Sequence, residues 1–168
     1  SARRPVVLAL LAAFALVAAR ATAKSYHAER FDVQVALERD GSARVTETIV
    51  FHFTEGEFTE VYREVPTRYT DGIGDVRAEL DGRDVTGDVQ VERRAAHLRV
   101  TWTMPPTSNV ARRFVLSYRL LGATRHDAGH DAFYWTALPR AHEYRIGAST
   151  VSILLPSGAA LVEAPSVS

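Results

Sequence analysis

Hydrophobic and polar positions alternate with a period of two over most of this chain. Phe31, Val33, Val35 and Leu37 fall on odd positions, and beyond Arg39-Asp40-Gly41-Ser42 so do Val45, Ile49, Phe51 and Phe53. Such a period sets one face against a core and the other in water, which predicts a half-buried antiparallel hairpin turning at Asp40-Gly41. Glu47 interrupts the apolar row. A carboxylate on a packed face must find a partner or shift its protonation, because an unpaired buried charge is costly. Arg63 is the partner expected within ion-pair distance, since its planar guanidinium can hold a carboxylate at two points. The competing reading sets Glu47 near an exposed strand end. Under both, its role is structural.

The same alternation continues. Phe58 to Val65 reads as a strand ending at Pro66, and Thr67 to Gly74 as a loop with Asp71-Gly72 turn chemistry. Val76, Ala78 and Leu80 alternate up to Asp81-Gly82, and Val89 to Glu92 makes a short piece. Leu98, Val100, Trp102 and Met104 alternate until Pro105-Pro106, where the strand is expected to stop. Phe114, Leu116, Tyr118 and Leu120 follow, then a polar loop to Asp131, then Phe133-Tyr134-Trp135. Val151, Ile153 and Leu155 form the last strand before Pro156. Many short strands with no helical period predict an all-β fold, an antiparallel β-sandwich of immunoglobulin-like or related type.

The first residues set a different pattern. Arg3-Arg4 precede the uncharged apolar run Val6 to Ala19, and Ala21 and Ala23 have the small-residue spacing that a signal peptidase reads. The run is shorter than the roughly 20 residues that span a bilayer. Residues 1–23 are therefore expected to be a helical signal peptide, and residues 24–156 the exported domain. There is no cysteine, so packing without disulfides or thiolate metal sites has to hold the fold.

Twenty basic and twenty acidic residues are interspersed, and Lys24 is the one lysine. No basic stripe suggests nucleic acid, and none is expected as a partner. The loop His126-Asp127-Ala128-Gly129-His130-Asp131 carries metal-ligand types in His126, Asp127, His130 and Asp131, to which His142-Glu143 adds a ligand if the fold brings it near. A solvated loop is the simpler reading, and no metal or other cofactor is expected. Glu55, Glu57, Glu60 and Glu64 read as a solvated acidic edge; glycoside chemistry would need two of them roughly 5 to 10 Å apart. Phe133 and Trp135 are expected to share a core-facing side. Serine nucleophile elbows, P-loops and dinucleotide glycine fingerprints do not occur.

Several short strings along the chain together carry a family resemblance. These are Arg30-Phe31-Asp32-Val33, Asp40-Gly41-Ser42, Val45 to Ile49, Phe51-His52-Phe53 and Val61-Tyr62-Arg63-Glu64-Val65-Pro66. Gly74-Asp75-Val76, Phe114 to Arg119, Asp131 to Trp135 and Val151 to Pro156 continue the series in order. As an ordered set they resemble bacterial domain-of-unknown-function family 2207, and the resemblance implies a predicted membrane protein: signal peptide, extracytoplasmic β-rich domain, then transmembrane helices. Residues 157–168 are accordingly expected to be a linker cut short before a transmembrane segment. The resemblance brings no catalytic residues. The function expected is a noncatalytic envelope module that binds an envelope component or protein partner, tethered to the membrane through a segment missing from this chain. The alternatives are an envelope hydrolase using carboxylates or a metal at the 125–131 loop, and a structural spacer of a membrane assembly.

Overall fold

The computed structural model of the chain describes residues 23–127, 129–139 and 142–162. The expected leader, through residue 22, and the end of the expected linker lie outside the described residues. Within them the fold is all-β, a sandwich built from β1 (Ser25–Leu37), β2 (Ala43–Glu55), β3 (Phe58–Pro66), β4 (Gly72–Leu80), β5 (Arg83–Asp84), β6 (Gln90–Arg93), β7 (His97–Thr107), β8 (Val110–Leu121), β9 (Thr124–Asp127), β10 (His130–Phe133) and β11 (Ile146–Leu154). One sheet has six strands in the order β11-β1-β2-β8-β4-β5, and a second has three in the order β3-β7-β6. β9 and β10 form a separate hairpin.

The β1–β2 hairpin forms the frame. Its turn is made by Gly41 at φ 80, a left-handed angle that glycine adopts without a steric penalty. Asp40 Oδ1 accepts hydrogen bonds from Ser42 N at 3.0 Å and Ser42 Oγ at 2.6 Å, closing the turn locally. Phe31, Val33, Val35, Val45, Ile49, Phe51 and Phe53 are all buried on the inner face. Leu98, Val100, Trp102 and Met104 meet them from β7, and Phe114, Leu116, Tyr118 and Leu120 from β8. Trp102 and Phe114 touch edge to face between the sheets, with ring centroids 5.6 Å apart.

Four local features depart from the simple alternation. In β1 the register slips between Ala28 and Arg30, so that Glu29 is an extra residue, and the inward positions before it become Ala28 and Tyr26. β7 does not stop at Pro105-Pro106 but runs to Thr107. Both prolines fall where the β3 register jumps from Thr107 to Thr103, so the missing N–H groups cost no ladder bond there. The stretch expected to be a polar loop is instead the β9–β10 hairpin, which ends at Phe133. Finally, β11 pairs with β1 in parallel, an exception to the otherwise antiparallel ladders.

Candidate functional site

Glu47 occupies the inner face of β2, fully buried, and meets Arg63 from β3 in the opposite sheet. Arg63 Nε donates to Glu47 Oε2 at 2.6 Å and Nη2 to Oε1 at 3.0 Å, the two-point geometry that a guanidinium and a carboxylate favour. Tyr118 on β8 adds a third member, its hydroxyl donating to Oε1 at 2.7 Å. The strand register explains the reach: Glu47 lies opposite Leu116, so Tyr118 is its diagonal neighbour on the same face. Arg63 also donates from Nη1 to the Glu64 carbonyl at 2.6 Å, and its guanidinium sits 5.3 Å from the centre of the Phe31 ring. The segment after β10 closes over this cluster. Ala137 O accepts a long bond of 3.4 Å from Arg63 Nη2, and the Trp135 ring lies 6.3 Å from that of Tyr118.

The electrostatics follow from the burial. Burial, reinforced by the negative charge of Glu47, holds the Tyr118 phenol well above the usual tyrosine value. Arg63 is buried too, which works against its charge. The charge and hydrogen bond of Glu47 outweigh that, and the guanidinium is held above its usual value. Tyr144, packed edge to face on Phe51 at 5.0 Å, is pushed up to about 12 by burial. Each oxygen of the Glu47 carboxylate accepts at least one charge-assisted or hydroxyl hydrogen bond. The arrangement is a tie between the two sheets, with the Arg63 and Tyr118 donors both directed at the Glu47 carboxylate.

The other sequence candidates lie apart from this cluster. His126 and Asp131 stand opposite each other on β9 and β10, with Nδ1 and Oδ1 3.1 Å apart, and both are exposed. His130 is one residue along from Asp131, so the pleat directs it to the other face of the hairpin. Asp127 lies opposite His130 in the register, and its side chain is outside the described residues. His142 bonds locally to the Tyr144 carbonyl. Glu55, Glu57, Glu60 and Glu64 are exposed, Glu64 lying 3.8 Å from Arg99. Phe133 and Trp135 are half-buried against the core, although the strand ends at Phe133, and Tyr134 is exposed.

Comparisons with known proteins place this sandwich. Residues 27–165 match the family model described as the N-terminal domain of a predicted membrane protein, DUF2207. The chain belongs to the DUF2207 family. No curated protein matches the DUF2207 chain. Among solved structures it is similar to an M1 zinc metallopeptidase from Deinococcus radiodurans, at 16% identity and a TM-score of 0.41, covering 57% of this chain and 20% of that one. It is also similar to yeast LTA4 hydrolase in complex with bestatin, at 15% identity and a TM-score of 0.43, covering 56% and 14%. The DUF2207 chain thus spans about a fifth or less of the length of these structures. No helix among its described residues is long and apolar enough to cross a membrane.

Among the described residues, β11 carries an exposed apolar surface. In the register of β1 and β11, Val151 lies beside Val33 and Ile153 beside Val35. The inner-face row therefore continues from β1 onto β11, but the three-stranded sheet does not extend over it. Val33 is 2% exposed and Val151 45%; Val35 is 1% exposed and Ile153 38%. The result is an apolar ledge along the outer edge of the larger sheet.

Proposed function

We propose that this DUF2207 domain is a noncatalytic, extracytoplasmic interaction module of a membrane protein, and that it holds a protein partner on the β11 ledge. The observation that carries the reading is the overhang of Val151 and Ile153. Apolar side chains continuous with a core but left uncovered favour association with another apolar surface. Among the described residues β11 is also the terminal strand of its sheet, hydrogen-bonded to β1 alone. Its free backbone edge can accept an extended segment of a partner, adding main-chain hydrogen bonds to the apolar contact. The buried carboxylate, by contrast, is engaged in holding the sheets together.

The test is site-specific photo-crosslinking in membranes that carry the full-length protein. A photoreactive residue at position 151 or 153 is expected to give a discrete protein adduct, and one at the outward-facing position 48 on β2 is expected to give none. Equal labelling at all three positions, or none at 151 and 153, would refute the ledge as the contact surface.

A further inference from the structure

The bulge in β1 does more than bend the strand. Had the odd-inward alternation of Phe31, Val33 and Val35 continued toward the N-terminus, His27 and Glu29 would have pointed into the sandwich. The extra residue at Glu29 reverses the pattern, so Ala28 is buried, His27 is half-buried on the outer face and Glu29 is exposed there. His27 is then directly opposite His52 of β2, itself on the outward-facing even row, with ring centroids 5.4 Å apart. Glu29 Oε1 lies 3.0 Å from His52 Nδ1. One ligand atom from each of His27, Glu29 and His52 falls within 4.8 Å of the other two.

We infer that His27, Glu29 and His52 form a binding site for a divalent transition metal of the zinc class. Two imidazoles and one carboxylate are a donor set suited to such ions, and three protein ligands leave a coordination position open to water. At metal–ligand bonds of about 2.0–2.2 Å, tetrahedral donors stand about 3.4 Å apart, so the side chains close on an ion by torsion adjustments of their own. The backbone beneath them is held from the other side. Ala28 N donates to Arg145 O at 2.9 Å, and Gly147 lies so near that a Cβ there would stand 3.0 Å from the Glu29 carbonyl oxygen. The neighbouring cation on this face, Arg30, is turned to Asp32 at 2.8 Å, so its charge is balanced locally. The site is on the surface opposite Glu47 and separate from the His126–Asp131 hairpin.

The experiment is Zn²⁺ titration of the untagged full-length protein by calorimetry and by thermal unfolding, with His27→Ala, His52→Ala and the control pair His126→Ala/His130→Ala. Wild type and control are expected to bind one equivalent and to gain thermal stability as the metal is added. Each of the two site variants is expected to lose roughly tenfold or more in affinity, at least the scale on which outer-shell changes weaken metal sites. All three ligands lie on the outer face of the sheet and none is fully buried, so circular dichroism of the metal-free variants should overlay the wild type. No binding by the wild-type protein would overturn the inference. Binding that survives His27→Ala and His52→Ala but is lost in the control pair would overturn it too.

Discussion

Arg63 Nε lies 2.6 Å from Glu47 Oε2, and the two residues come from facing sheets, so one ion pair ties β2 to β3 through the core. Tyr118 completes the tie from β8. Tyr118→Phe keeps the ring and removes the hydroxyl donor from a buried carboxylate, a charged hydrogen bond worth about 1.5–3 kcal/mol. The midpoint of chemical denaturation is expected to fall accordingly, with an unchanged slope. An unshifted midpoint would show that the hydroxyl contributes nothing to the tie.

Tyr118 and Tyr144 set an upper pH limit. Tyr118 is held well above the usual value chiefly by burial, and Tyr144 is pushed up to about 12. In the unfolded chain both ionise near pH 10. Folding therefore retains protons that the unfolded state gives up, and this contribution is complete below about pH 10 and declines as pH rises through the folded values. Stability is expected to fall steadily from pH 10 to 12, with tyrosinate absorbance from Tyr118 and Tyr144 appearing only above the value of the unfolded chain. A flat stability profile over that range would contradict the assignment.

Gly41 supplies the left-handed turn of the β1–β2 hairpin. Gly41→Ala places a Cβ at φ 80, where L-residues are strained, and a Cβ there also meets Thr124 Oγ1 at 3.4 Å. The expected cost is about 1 kcal/mol, read as a lower unfolding midpoint. Equal stability of the two proteins would mean that the turn relaxes into another type.

The β11 ledge predicts a contrast between neighbours in one row. Val151→Lys and Ile153→Lys put charge on exposed positions and should change stability by no more than about 0.5 kcal/mol. Val33→Lys, beside Val151 in the register but buried, should prevent folding. Destabilisation by the two ledge substitutions would indicate that the ledge is covered within the chain.

Much of this was legible in the residues, because period-two alternation reports directly which side of a strand packs. The hairpin, its turn and the core rows of β7 and β8 follow from it. The sandwich and the meeting of Glu47 with Arg63 are also features that an apolar row with one acidic interruption suggests. Other parts depend on which strands become neighbours, which alternation does not encode. Tyr118 read as one more apolar-row residue, although its hydroxyl required a buried acceptor, and only the β2–β8 register identifies Glu47 as that acceptor. The bulge at Glu29 inserts one residue and so inverts every inference from parity before it, which hid the pairing of His27 with His52. For β11 the alternation was real but the burial was absent, since the opposing sheet is too narrow to reach it. Pro105 and Pro106 read as a stop because the register jump that accommodates them is a property of the β3 partner.

The buried charges clamp the two sheets, and a double-mutant cycle on Glu47→Met and Arg63→Met reads their coupling. Each single substitution strands a buried charge and is expected to cost about 3–5 kcal/mol. The double variant, with both charges replaced by apolar side chains of similar length, is expected to be more stable than either single, giving a large favourable coupling. Two small, additive single-variant effects with no coupling energy would contradict the clamp.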